Sequence, residues 1–179
     1  MIKIGRYCSI ASGASLFGVE HQKELFTSSS LTRDRQLIIF NDPTQHNTIQ
    51  YHTIRTHIDK HIAISIENDV WIAGGVSIKP GVTIGNGSVI GARAVIAKDV
   101  PPYAVVVGNP GRIIKYRFSD EVIADLLQLR WWEYDFHEFP IFNDIEITEF
   151  ISVINSEIKN GNLKPFTPEK LMASELKLL

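Results

Sequence analysis

From residue 66 onward the apolar positions recur neither every second residue nor every 3.6 residues, but every sixth. Ile66, Ile72, Ile78, Ile84, Ile90 and Ile96 fill the first column of that register without a break. Val70, Val76, Val82, Ser88, Ala94 and Val100, all small or β-branched, fill the fifth. The same register opens the chain, with Ile4, Ile10 and Leu16 in the first column and Cys8 and Ala14 in the fifth. A period of six predicts a parallel β-helix, in which each hexapeptide makes one short flat face of a prism. The first-column side chain then fills a layer of the core, and the fifth column has room only for smaller groups. Gly75, Gly81, Gly85, Gly87 and Gly91 fall between the faces, where turns favour residues that tolerate unusual backbone angles. A β-sandwich would need alternation of period two and clear two-residue turns, and this stretch has neither. The period does not by itself give the hand of the coil.

The register divides the chain. Residues 1 to 21 carry the first hexapeptides, and residues 22 to 65 have no hexapeptide register. A segment of that length exceeds an ordinary connection and points to a functional loop. The coil resumes from 66 to about 101, and after "VPPYAVVVGNPGR" the pattern becomes helical. Ser119 can cap a helix with Asp120 and Glu121 in its first turn and apolar Val122, Ile123, Leu126 and Leu127 behind them. A second helix fits Thr148 to Lys159, with Phe150, Ile151, Ile154 and Ile158 on one face and Gly161 as its stop. A third can start at Thr167 with Pro168 in its first position. The expected organisation is a mainly β domain over 1–118 with the loop 22–65 inserted, and a helical extension over 119–179 packing on the same domain. Solenoids need their open ends covered, and these helices are the candidates to do so. The chain opens inside its first coil, so that end should be exposed, or covered by the C-terminal helices or by another subunit.

Composition narrows the function without choosing it. The 179 residues are 44% hydrophobic and 21% charged with a net charge of −2, which gives no general reason to expect nucleic acid or an anionic membrane as partner. No apolar run approaches the roughly 18 residues of a membrane span, and Met-Ile-Lys-Ile-Gly lacks the layout of a signal peptide. A cytoplasmic protein is expected. Cys8 is the single cysteine, which excludes an intrachain disulfide and a cysteine zinc cluster. Six histidines, His21, His46, His52, His57, His61 and His137, offer a base that titrates near neutrality. Taken alone, the residues do not choose among them.

The segment "NDVWIAGGVSIKPGVTIGNGSVIGARAVIAKDVPPYAVVVGNPGRIIK" resembles the left-handed β-helix acetyltransferases of the hexapeptide-repeat superfamily. "IGRYCSIASG" ahead of "FGVEH", with "RFSDEVIADLLQLRWWEYDF" behind the coil, is similar to the xenobiotic acetyltransferase branch. That branch holds chloramphenicol and streptogramin acetyltransferases and many saccharide O-acetyltransferases. The resemblance covers most of residues 1 to 137. It implies a left-handed coil, an exception to the usual right-handed crossover. It also implies a homotrimer with acetyl-CoA in a groove between neighbouring prisms, a catalytic histidine on the extruded loop, and no metal.

Carried onto this chain, the resemblance makes His21 the general base, with Glu20, Glu24 or a backbone carbonyl all open as its orienting group. It makes the Gly74 N–H a donor to the oxyanion, and lays Trp71 against the pantetheine arm and the reacting groups. Ala92 matches a position whose backbone contacts the pantetheine amides. Lys98, Arg112 and Lys115 match basic positions near the nucleotide end of the cofactor, and Tyr116 and Arg117 continue that segment more weakly. Ala73 departs from the pattern, standing where the family usually has glycine.

The expected activity is therefore acetyl transfer from acetyl-CoA to a saccharide hydroxyl, since the loop lacks the antibiotic enzymes' "STYPF" signature. An antibiotic alcohol, as in chloramphenicol or streptogramin acetylation, is the alternative acceptor. An amino-sugar amine is a weaker third. A γ-class carbonic anhydrase would use His52 and His57, which have its five-residue spacing, and a non-catalytic β-helix scaffold is the remaining alternative.

Overall fold

A computed structural model describes residues 2–17, 64–140 and 145–168. The chain divides into two units, Met1–Leu16 with Ala63–Leu179, and Phe17–Ile62. The second lies outside the described residues apart from Phe17, and so does the whole expected loop 22–65 except its last two positions. Those two already belong to a strand: the coil resumes at Ile64, two residues earlier than the isoleucine column suggests.

The first unit is a prism with three faces. Its first coil is β1 (Ile2–Ile4), β2 (Ser9–Ile10) and β3 (Ser15–Leu16). The second is β4 (Ile64–Ile66), β5 (Trp71–Ile72) and β6 (Ser77–Ile78), and the third is β7 (Thr83–Ile84), β8 (Val89–Ile90) and β9 (Val95–Ile96). The faces are three parallel sheets, ordered β1-β4-β7, β2-β5-β8 and β3-β6-β9. Between the second and third coils the register is Ile66↔Ile84, Ile72↔Ile90 and Ile78↔Ile96, a step of 18 residues or three hexapeptides. Between the first and second it is Ile4↔Ile66, Ile10↔Ile72 and Leu16↔Ile78, a step of 62. The excess of 44 residues equals the length assigned to the inserted loop.

The two columns behave as the period requires. Every first-column isoleucine from Ile66 to Ile96 and every fifth-column residue from Val70 to Val100 is at most 6% exposed. Ser88 is the polar exception in the fifth column, and its hydroxyl lies 2.7 Å and 2.9 Å from the carbonyls of Gly85 and Pro101, so its proton always has an acceptor. The first coil differs. Ile2, Ile4, Ile10 and Leu16 stand in the same columns but are 41–54% exposed, because no described residue lies over them.

Two further strands, β10 (Ala104–Val107) and β11 (Arg112–Tyr116), extend the middle sheet to β2-β5-β8-β10-β11. β11 runs antiparallel to β10, a hairpin that the hexapeptide register does not announce. The helices α1 (Asp120–Leu129) and α2 (Ile147–Lys159) follow. Ser119 caps α1 by accepting from the Val122 N–H, as its place before Asp120 and Glu121 predicts, and Gly161 follows α2 at φ 77°. Thr167 and Pro168 belong to no element, and the expected third helix beyond them lies outside the described residues.

The two described helices do not cover the first coil, whose Ile2, Ile4, Ile10 and Leu16 stay exposed. They build a second core of Tyr103, Leu126, Leu129, Phe139, Ile151, Ile154 and Leu163, docked along one edge. That edge is the first corner, between the sheets of β1 and β2. Every coil turns there through a left-handed residue: Tyr7, Asp69 and Gly87, with Tyr103 next in the stack. Their N–H groups climb a ladder, Asp69 to the Arg6 carbonyl, Gly87 to that of Asn68 and Tyr103 to that of Asn86. Outward from the ladder, the Tyr7 hydroxyl donates to the Tyr134 carbonyl at 2.6 Å, and the Arg6 guanidinium donates to the carbonyls of Trp132 and Phe166.

Gly87 is required at this corner for two reasons. Its φ is +68°, and a Cβ there would stand 2.3 Å from the Tyr103 ring, the largest fully buried side chain. Gly87→Ala should therefore lower unfolding free energy by at least ~2 kcal/mol, since the ring cannot move without opening the second core. Gly75→Ala, at φ +70° but facing only a flexible Arg93 methylene at 3.4 Å, should cost about 1 kcal/mol for the backbone alone. Urea unfolding of the two variants measures the difference; equal losses would mean that the Tyr103 contact contributes nothing.

Candidate functional site

The three coils stack, so equivalent corner residues form vertical rows, and the third residue of each turn is the informative one. At the first corner these are Arg6, Asn68 and Asn86. Their N–H groups have no backbone acceptor but are all satisfied by side chains. Arg6 donates to Asn68 Oδ1 and Asn68 donates to Asn86 Oδ1, each at 2.9 Å. Asn86 donates to Glu67 Oε2, also at 2.9 Å. This corner is closed.

The second corner, between the sheets of β2 and β3, carries Ser12, Gly74 and Ala92 in the same row. Gly75 donates to the Ser12 carbonyl and Arg93 to the Gly74 carbonyl, so the row is stacked as at the first corner. Here, among the described residues, nothing accepts from the N–H of Ser12, Gly74 or Ala92. Serine, glycine and alanine cannot build the Asn–Asn–Glu ladder. All three residues are accessible to solvent. The second corner is thus a strip of unused backbone donors, about one strand spacing of 4.8 Å apart. Gly74 and Ala92, singled out from the sequence, lie side by side in it; Ser12 was missed, because its signal appears only when the coils are stacked.

Trp71 stands beside the strip. It opens β5, and its partners across the sheet are Ser9 and Val89. Its ring points away from the prism, and it is 54% exposed. Val89 pairs with Val105, and Val105 with Lys115. The outer face of the middle sheet therefore reads Ser9, Trp71, Val89, Val105, Lys115 across five strands. Trp71 and Lys115 are three strand spacings apart, roughly 14 Å.

Arg112 and Lys115 are three residues apart and would point to opposite faces of a regular strand. The register shifts between Val105 and Val106, leaving Ile114 as the extra residue. Arg112 then pairs with outward-facing Val107 and Lys115 with outward-facing Val105, so the bulge brings both cations onto one face. Lys98 is not brought to them; it stands at the third corner, between β9 and the Ile84↔Val100 bridge.

Arg117 does not belong with the exposed cations, a correction to the weaker reading of that segment. Its guanidinium donates to Asp69 Oδ2 at 3.1 Å and to the Gly87 carbonyl at 2.8 Å, and lies over the rings of Tyr103 and Phe118 at 5.5 Å and 5.2 Å. It clamps the first corner to the second core. Burial pushes the Asp69 carboxyl up even with Arg117 beside it. Burial likewise pushes Tyr103 up to about 12. The Cys8 thiol, half-buried beneath the same corner, is also pushed up by burial, which keeps it protonated rather than nucleophilic.

His21, His46, His52, His57 and His61 lie outside the described residues. His137 is exposed, with Nδ1 2.8 Å from Asp135 Oδ1 in its own short turn, on the helical side of the molecule. No helix among the described residues is long and apolar enough to cross a membrane.

Known proteins show the same repeat. The family model described as bacterial transferase hexapeptide (six repeats) matches residues 63–98, which are the second and third coils. A chloramphenicol acetyltransferase of Agrobacterium fabrum is 37% identical over 132 residues, 72% of this chain and 58% of that protein. A second, from Klebsiella aerogenes, is covered to 59%, so the chain spans less than two thirds of either. A probable macrolide acetyltransferase of Lysinibacillus sphaericus is 37% identical over 146 residues, 80% of this chain and 74% of that protein. A crystal structure of a hexapeptide-repeat acetyltransferase from Vibrio cholerae, complexed with acetyl coenzyme A, covers 66% of this chain and 50% of its own. At 28% identity and a TM-score of 0.43 the superposition is too loose to carry positions across. The prism with its 18-residue step, the repeat model on its two buried coils and a relative aligned over most of both chains lead to one conclusion: the protein belongs to the hexapeptide-repeat transferase family.

Proposed function

We propose that the protein is an acetyl-CoA-dependent O-acetyltransferase whose acyl donor lies along the second corner. The unused N–H row of Ser12, Gly74 and Ala92 carries this reading. A pantetheine arm is built from amides, whose carbonyls need donors, and a thioester under attack develops an oxyanion that needs one more. Gly74 suits the oxyanion because it has no side chain to hold a reacting carbonyl away, and Ala92, one coil along, suits an amide of the arm. Trp71 supplies an exposed flat apolar wall beside Gly74. Arg112 and Lys115, gathered by the bulge, suit the phosphates at the far end of the donor. The named relatives, chloramphenicol and macrolide acetyltransferases, support the same donor and reaction.

The chemistry asks for one base. The acceptor hydroxyl attacks the thioester carbonyl and gives its proton to the His21 imidazole. The tetrahedral oxyanion, held by the Gly74 N–H, then collapses with cleavage of the C–S bond, and the imidazolium returns its proton to the departing thiolate. We assign the base to His21 by its place in the motif "FGVEH". The donor groove is shared between copies of a homotrimer with a left-handed coil. Sharing would let Lys98, a corner away from Arg112 and Lys115 within one copy, meet the same phosphates from across the groove.

The acceptor we propose is a saccharide hydroxyl. The relatives' names favour an antibiotic alcohol as the second reading, and turnover of acetyl-CoA against a panel of oligosaccharides, chloramphenicol and macrolides decides between them.

His21→Ala should lower turnover by about 10²–10⁴-fold. Acetyl-CoA binding and the three-chain particle seen in sedimentation should be retained. Near-parental activity in His21→Ala, with loss in a variant of His46, His52, His57 or His61, would move the base to that residue. A stable monomer would remove the shared groove.

Arg112→Ala should raise the Michaelis constant for acetyl-CoA about tenfold with little change in turnover number, because a charge-assisted contact to a remote phosphate acts on ground and transition states alike. Lys98→Ala and Lys115→Ala should do the same. Dephospho-CoA should narrow the gap for whichever residue meets the 3′-phosphate. Unchanged constants in all three would return them to an ordinary solvated face.

A further inference from the structure

The second corner holds one cation that a neutral thioester does not need. Each coil turns there through a residue in the left-handed region: Gly13 at φ 76°, Gly75 at φ 70° and Arg93 at φ 58°. Glycine adopts that backbone without steric penalty and arginine does not. The other non-glycine residues at positive φ put their side chains to work in the helical extension. Tyr7 donates to the Tyr134 carbonyl, Asp69 accepts from Arg117, Tyr103 fills the second core and Arg130 pairs with Glu133.

Arg93 has no such task. Among the described residues, Arg6, Arg112, Arg117 and Arg130 each have a guanidinium contact to a carbonyl or a carboxylate. The Arg93 side chain is exposed and meets neither. The corner does not neutralise it either, since residues 11–14, 73–76 and 91–94 include no Asp or Glu.

Its stem has a direction. The Arg93 N–H donates to the Gly74 carbonyl at 2.9 Å, and its Cγ lies 3.4 Å from where a Cβ on Gly75 would stand. The side chain leans back over the second coil, the coil of β5. In the middle sheet β8 separates β5 from β10 and β11, so this is the side away from Arg112 and Lys115. The donor's phosphates suit that far pair, whereas its thioester and amides are uncharged. A cation beside the thioester is then available to a charge carried by the second substrate.

We propose, resting on the acetyltransferase reading, that Arg93 is a specificity residue that pairs with an anionic group, carboxylate or phosphate, on the acceptor. The acceptor is then an acidic saccharide, and the strained backbone at Arg93 is retained for what its side chain reads.

The test compares kcat/KM on neutral, glucuronate-containing and phosphorylated oligosaccharides of one length. The parent should prefer an anionic acceptor by about tenfold or more, and the better of the two identifies the group. Arg93→Gly should abolish the preference and Arg93→Lys should keep part of it. The Michaelis constant for acetyl-CoA should not change in either. Arg93→Gly should also unfold near the parental urea midpoint, because glycine already serves at Gly13 and Gly75. Four results would overturn the proposal: no anionic preference in the parent, a preference that survives Arg93→Gly, a loss shared equally by neutral acceptors, or a loss confined to acetyl-CoA. The last would make Arg93 a reader of the donor. If the parent acetylates none of the acceptors, the acetyltransferase reading fails, and calorimetric binding of the same oligosaccharides to parent and variants decides on Arg93 by the same criterion.

Discussion

The structure depends on one constraint: each coil lies on the next in hexapeptide register, at a step of 18 residues once the 44-residue insertion is set aside, so whatever occupies a corner is stacked on its own equivalents. The step fills the core, because each of the six isoleucines stacks on its equivalent one coil away, one pair per face, with the six fifth-column residues buried beside them. It also repeats each turn's unmet backbone donors in a row. A single exposed N–H is unremarkable in water. A row of them at strand spacing is a surface that reads amides and anions, and the protein decides corner by corner whether to keep it. At the first corner Asn68, Asn86 and Glu67 consume the row, and the edge becomes a dock for the helices. At the second, serine, glycine and alanine leave it open among the described residues.

That division of labour explains why the helices do not interfere with the site. Their contacts run through Arg6, Tyr7, Asp69, Tyr103 and Arg117, all on the first corner or directly above it. Tyr103 joins the two cores. Its backbone extends the corner ladder, its ring fills the gap above Gly87, and Phe118 packs against it at 5.7 Å. The second corner and the outer face of the middle sheet make none of these contacts.

The prism was legible in the sequence because a first-column residue has one environment, so twelve positions of the third and second coils could be named as buried from spacing alone. Ser119 as cap and α2 within one residue at its start were legible for the same reason: local chemistry with few alternatives. The β10–β11 hairpin was not, since antiparallel return strands share no period with the coil. The bulge at Ile114 was not either, and it decides which cations share a face. Arg117 was misread because sequence shows a cation but not the Asp69 carboxylate 48 positions away that claims it. Gly74, Ala92 and Trp71 were named through resemblance, and the geometry adds a reason that resemblance lacks: the N–H groups of the first two meet no acceptor among the described residues, and the third is exposed on the same coil as Gly74. His21 stands on the motif alone.

The central claim is that the second corner, and not the first, binds the acyl donor through its backbone. Amide-resolved NMR of the labelled protein titrated with a non-reactive CoA analogue tests it directly. The account predicts that the Gly74 and Ala92 amide resonances move saturably with the analogue, as a new acceptor reaches each N–H, while those of Asn68 and Asn86 stay in place. Saturable shifts confined to the first corner, or binding that leaves Gly74 and Ala92 unmoved, would contradict it.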